Sequence, residues 1–190
     1  MTRDDDIADM KEPRVRRFAA AALAIGVSIT ALTMPARAQV TQTDMLVAGR
    51  TIGFIQNLGP GDVRVGIVYD PGVAQSAQQA TEINALMGDG LRIGSLTLKP
   101  VMLPIGKLET SGIALFFLAE GLGANSARVG RADRERKTPC ITFDLSQVRN
   151  GTCAIGVRSQ PRIEVIVNGA AAKASGTVLS AVFRMMITEI

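Results

Sequence analysis

The chain predicts an α/β fold: a three-layer sandwich around a mostly parallel sheet of flavodoxin-like or Rossmann-like order, with an antiparallel hairpin late on. Three observations carry this. Two short runs, VRVGIVY at 63–69 and IALFFLA at 113–119, are apolar nearly throughout, as strands buried on both faces are. Each is followed by a glycine-containing turn and then by a segment of helical length, the alternation of a βαβ chain. Near the C-terminus two β-rich runs flank Ser159-Gln160-Pro161, which reads as a hairpin turn.

Taken in order, 42–58 (QTDMLVAGRTIGFIQNL) spaces Met45, Leu46, Ile52, Phe54, Ile55 and Leu58 as one helical face, and Gly59-Pro60-Gly61 stops it. The strand at 63–69 ends in Asp70-Pro71-Gly72, a turn signal. A helix over 74–87 closes at Gly88-Asp89-Gly90. Next comes an extended run at 96–103, where Pro100 suggests a sheet edge. The run at 113–119 reads as a central strand, and Glu120-Gly121-Leu122-Gly123 turns into a helix over 124–136. Cys140 to Phe143 is a short strand, 154–157 and 162–167 form the hairpin, and an amphipathic helix runs to Ile190. On that last helix Val178, Leu179, Val182, Phe183, Met186, Ile187 and Ile190 share a broad face that reads as core; a partner groove is the minor reading.

The first 38 residues read as a leader. Arg14, Arg16 and Arg17 precede an apolar run from Phe18 to Met34, and Ala36-Arg37-Ala38 is a small-x-small cleavage pattern ending at Ala38. The acidic stretch before Met10 is foreign to such a leader and suggests a start at Met10. Export to the periplasm follows as the expectation, with 39–190 a single mature domain. The whole chain holds 21 basic and 17 acidic residues; the leader takes six and five of them, leaving 15 against 12. This balance is modest and unclustered, so nucleic acid is not an expected partner.

There is no histidine in the chain, which removes the usual general base, the serine–histidine and cysteine–histidine pairs and the commonest metal ligand. Neither a metal nor a cofactor is expected, and the protein reads as a non-enzyme. In an oxidising compartment Cys140 and Cys153 read as a structural disulfide, closing a loop of about 14 residues worth roughly 3 kcal/mol. The bridge is expected to clamp the polar loop beside Asp144 at the carboxyl edge of the sheet. GDGLRIG and EGLGA lack the context of a phosphate-binding loop and read as turns. DRERK at 133–137 reads as a solvated helix end. Asp70, Glu120 and Asp144 each follow a parallel strand, so they gather at the edge where open α/β sheets keep their crevices. With Arg149 from the clamped loop, they are the candidate ligand or partner residues.

The segment ITFDLSQVRNGTCAIGV, followed by RIEVIVNGAAAKASGTVLSAVFRMM, resembles the closing part of the YfiR/HmsC family of periplasmic regulatory proteins. In the family's pattern a strand ends in Asp, a polar loop and glycine-containing strands follow, and an Ala-rich helix precedes the last helix. Here Arg162 to Asn168 stands for the penultimate strand and Leu179 to Arg184 for the last helix. Upstream, Ile52-Gly53-Phe54-Ile55, VGIVYDP and the apolar strand before Glu120 keep the same order. The resemblance implies a disulfide-stabilised repressor that binds the periplasmic domain of an inner-membrane diguanylate cyclase and restrains cyclic-di-GMP signalling and biofilm behaviour. A second copy of the chain is a further possible partner. VGIVYDPG is also similar to the opening of one lobe of ABC-type substrate-binding proteins, which implies the alternative: a single-lobe module for a small molecule.

Overall fold

Nine residues, Gly61–Tyr69, form the strand β1 around which the sheet is laid. Val63, Val65, Ile67 and Val68 in it are buried, and β-branched side chains of this kind suit a strand packed on both faces. The structure, a computed structural model, describes residues 39–110 and 112–190; the expected leader and the cleavage expected at Ala38 lie outside them.

On one side β1 pairs in parallel with β3 (Leu96–Pro104), and on the other with β4 (Leu115–Leu118). Beyond β4 follow β5 (Cys140–Thr142) and β6 (Ile155–Arg158), again parallel. The parallel strands therefore stand in the order β3-β1-β4-β5-β6; counted among themselves, this is the flavodoxin-like order. Antiparallel strands flank them, β2 (Leu91–Ile93) on β3 and β7 (Glu164–Val167) on β6, with β8 (Thr188–Glu189) running parallel to β7.

The sheet's period of two sorts the core into two layers. Val65, Ile67, Leu115 and Phe117 pack with Met45, Ala48 and Ile52 of α1 (Gln42–Ile52) and Ala80 and Ile83 of α2 (Ala74–Met87). Val68, Phe116 and Leu118 pack instead with Val129 and Ala132 of α3 (Ser126–Arg136). A short helix α4 (Leu145–Arg149) lies directly on β6, because Gly156 has no side chain: a Cβ there would stand 2.6 Å from Val148 and 2.8 Å from Leu145. Helices cover both faces of a mixed sheet, and the three-layer α/β class holds. No helix of the described residues is long and apolar enough to cross a membrane.

Several local expectations need correction. The first helix ends at Ile52, not at Leu58; the chain then turns so that Ile55 bridges to Leu179, and the Phe54 ring stacks on Phe183 with centroids 4.6 Å apart. Within GDGLRIG lies β2, which pairs with only the first three residues of β3, so Pro100 faces the open stretch of that edge. α4 occupies the segment inside the disulfide that the sequence reads as a polar loop.

The largest departure is at the C-terminus, where the last helix spans only Ala181–Arg184 before the chain re-extends as β8. The free edge of β7 accounts for this: Ile190 N–H donates to the Val167 carbonyl at 2.9 Å, satisfying groups that a continuing helix would leave unpaired. As a result only Leu179 and Phe183 of the expected core face are buried and Ile187 is half-buried, while Val178, Val182, Met186 and Ile190 are exposed, as is the neighbouring Met185.

DRERK is likewise only partly solvated. Asp133 turns inward and is 1% exposed, while Arg134, Glu135, Arg136 and Lys137 are exposed.

Cys140 and Cys153 are bonded, with Cα atoms 5.2 Å apart and both side chains fully buried, a separation well suited to a disulfide. The bridge lies at the beginning of β5 and just before β6. Its place is therefore the amino edge of the sheet, opposite to Asp144, and it does not clamp the carboxyl edge. α4 crosses from one edge to the other between them, which is why one loop touches both.

Candidate functional site at the carboxyl edge

β1 is the switch point of the sheet, with its following connection on one side and β4 on the other. Chain ends diverge at such a point and leave a crevice beyond the carboxyl ends of the strands. Three of the four candidate residues lie along this edge. Asp70 follows β1; its Oδ1 accepts the Gly72 N–H at 2.9 Å and its Oδ2 accepts the Asn125 side-chain amide at 2.8 Å. Asp144 caps α4, accepting the Ser146 N–H at 2.9 Å. These two carboxylates tie turns together.

Glu120 is placed differently. It follows β4, and the buried Gln79 of α2 takes its backbone N–H at 2.6 Å. Gln75, one helical turn earlier, donates its amide to Glu120 Oε2 at 3.1 Å. The next residue, Gly121, has φ of 72°. Its lack of a side chain lets the turn close under α2, where a Cβ would come within 3.2 Å of Val73.

Arg149 does not join them. It is exposed in the last turn of α4, at the end of that helix remote from Asp144.

The carboxyl ends of β4, β5 and β6 enclose, with the start of α1, a cavity of about 230 Å³ lined by Thr41, Asp44, Glu120, Phe143, Val157 and Arg158, among others. Adjacent strands lie about 4.8 Å apart, so Glu120, Phe143 and Arg158 line up across three neighbouring strand ends. Asp44 closes the far wall. Its Oδ2 accepts the Thr41 N–H at 2.9 Å and the Thr41 hydroxyl at 2.6 Å, while its Oδ1 accepts the Ser159 N–H at 2.8 Å. Burial pushes the Asp44 pKa up, but the hydrogen bonds from Thr41 and Ser159 outweigh it and hold the carboxyl below its usual value.

Beneath the cavity a buried network stabilises the same strand ends. Thr142 donates to Gln147 at 2.9 Å, and Gln147 donates to the Ala119 carbonyl at 3.2 Å.

Of these residues, sequence reasoning found Glu120 and missed Asp44, Gln75, Gln79, Phe143 and Arg158. The Thr41-x-x-Asp44 spacing is a legible capping box. No local signal shows that Asp44 reaches Ser159, 115 residues on. Chemically the lining offers carboxylates, a guanidinium and an aromatic surface. No cluster suited to a metal ion occurs among the described residues.

Fold and edge pocket together describe an open α/β domain with a crevice at the carboxyl ends of its strands. Comparison with family models and with curated proteins gives no match. Solved structures do resemble the chain. One is an ABC domain from Streptococcus pneumonia in complex with L-Trp, with a TM-score of 0.53, 12% identity, and coverage of 78% of this chain and 60% of that one. Another is a conserved domain protein from Vibrio cholerae O1 biovar eltor, with a TM-score of 0.52, 12% identity, and coverage of 78% and 59%. At this identity the likeness concerns the fold. The chain spans about three-fifths of the length of these neighbours.

Proposed function

We propose that this domain is a non-catalytic binding module for a small organic molecule, held at the carboxyl edge of the sheet. The observation that carries the reading is the cavity across the ends of β4, β5 and β6, with Glu120 fixed on its wall by two glutamines of α2. Open α/β sheets use this edge for ligands, and one structural neighbour is a complex with L-Trp. A thermal-shift screen of small metabolites against the full chain tests it. Arg158 is exposed at the pocket rim, so Arg158→Trp fills the entrance at little cost to the core. A stabilising compound whose effect disappears in Arg158→Trp supports the reading; stabilisation that survives the substitution, or the absence of any stabilising compound, overturns it.

A second reading is supported by the exposed apolar side chains Val178, Val182, Met185, Met186 and Ile190. Clustered surface of this kind, rich in adaptable methionine, suits a protein partner. Here the domain is an exported, periplasmic regulator that docks on a membrane-anchored diguanylate cyclase and represses cyclic-di-GMP output. Co-purification of such a cyclase from membranes, lost in a Val182→Asp/Met185→Asp variant, supports this reading; equal recovery with both proteins sinks it.

A further inference from the structure

The charged groups around the carboxyl-edge cavity are unequal in what they leave for a ligand. Three charged side chains line it: Asp44, Glu120 and Arg158. Arg158 is committed to an ion pair with Glu164, which is itself largely shielded from solvent. Asp44 is ionised, and both its oxygens are taken up by Thr41 and Ser159. Glu120 shares one oxygen with Gln75, while its Oε1 receives no hydrogen bond from a described residue. The local field is therefore negative, and Glu120 is the lining carboxylate that keeps a whole oxygen without a hydrogen bond from a described residue.

The start of α1 does not reverse this. A helix N-terminus attracts anions through its unpaired N–H groups. In α1 the capping box already satisfies the Asp44 N–H through Thr41 and the Thr41 N–H through Asp44. The carboxylate that does so also stands where a ligand anion would have to sit.

Phe143 adds a third element. It stacks on Phe117, with ring centroids 5.6 Å apart, and brings an aromatic surface to the same lining as Glu120. A carboxylate next to an aromatic ring favours a cation over a neutral or anionic group. The remaining lining includes Val40 and Val157, both buried and apolar. The Glu120 backbone is anchored before any ligand arrives, because its N–H donates to Gln79, which is itself 6% exposed.

We propose that this pocket selects an organic ammonium ion with a short apolar or aromatic body, the charged head against Glu120 and Phe143 and the body against Val40 and Val157. The proposal rests on the reading of the pocket as a ligand site, and the test separates the two. Three probes of nearly equal size differ only in head group: phenethylammonium, phenethyl alcohol and phenylacetate. Each is titrated to millimolar concentration into the full chain, wild type and Glu120→Gln, with binding followed by amide and aromatic chemical shifts in NMR. Glu120→Gln keeps the size and the acceptor for Gln75 while removing the charge.

The expected result is that phenethylammonium shifts Phe143 and Val157 in the wild type and binds at least about tenfold more tightly than the alcohol. Phenylacetate is expected to bind weakest, and Glu120→Gln should bring the ammonium down to the level of the alcohol. Equal binding of alcohol and ammonium at Phe143, unchanged in Glu120→Gln, overturns the cation preference and leaves the pocket standing. Tightest binding by phenylacetate does the same. If none of the three probes shifts these residues, both the preference and the pocket reading fail.

Discussion

The two edges of this sheet are held by different means. At the carboxyl edge the strand ends are joined by directed hydrogen bonds between neighbours: Thr142 to Gln147, Gln147 to Ala119, the Glu120 N–H to Gln79, and Asn125 to Asp70. At the amino edge the Cys140–Cys153 bond joins β5 to the start of β6, and Asp133 lies buried with Oδ1 unpartnered. Among the described residues each edge keeps one buried polar atom without a hydrogen bond, Ser159 Oγ on the first and Asp133 Oδ1 on the second. A buried hydroxyl without a partner is a modest penalty, whereas a buried carboxylate oxygen left without one costs more. The difference teaches that the carboxyl edge is joined by paired polar groups, while the other edge tolerates a poorly solvated acid and depends on a covalent tie.

The same contrast appears in how two acids titrate. Asp44 is held below its usual value, so its contribution to stability is present above the unfolded value and disappears as pH falls through the folded one. Asp133 runs the other way: burial raises its pKa to about 7, against the opposing charges of Arg134 and Lys137 and hydrogen bonding from Ser175. A raised acid binds more protons folded than unfolded between the two values. Stability therefore falls as pH rises from about 4 to about 7, and the full cost is present above that.

The largest effect that would break the comparison is at the disulfide. Replacing Cys140 and Cys153 by Ala should lower unfolding stability in urea by roughly 3 kcal/mol, with the carboxyl-edge amides keeping their chemical shifts. Loss of those shifts as well would show that the edges are not independent.

The Asp133 effect comes next. Wild-type stability should drop by on the order of 2–3 kcal/mol between pH 5 and pH 8, and Asp133→Asn should flatten that slope in the same denaturation series. A slope unchanged by the substitution would remove the acid from the account. Smaller again, Asp44→Ala should cost about 1–2 kcal/mol at pH 7 by leaving the helix cap and the Ser159 N–H unpaired. That loss should shrink below about pH 4, as read by melting temperature against pH.

Much of the fold was legible. The runs at 63–69 and 113–119 became β1 and β4, 74–87 is α2, and the late hairpin is β6 and β7, because burial on both faces leaves a local signature in composition. Less was legible where a segment's state depends on a distant neighbour. MMITEI ends as a strand because β7 offers an open edge, although its apolar spacing also fits a helix. Asp133 carries the composition of a surface helix and is buried by residues more than forty positions on, around Ser175. Of the candidate site, Glu120 could be found from its place after a strand. Its partners Gln75 and Gln79 could not, because glutamines on a helix face carry no mark of what they will meet.

By itself the amino-acid sequence determined the class of the fold, the parallel core, the pairing of its two cysteines and the gathering of acids beyond the strand ends. These follow from period, composition and turn chemistry, which act within a few residues. Only the tertiary structure decided that the disulfide belongs to the amino edge, that Arg149 stands apart from the acids, and that Asp44, Phe143 and Arg158 join Glu120 around one cavity. Those outcomes depend on strand order and on contacts between residues far apart in the chain. Long-range pairing of that kind is set by how the layers pack and not by the local sequence at either end.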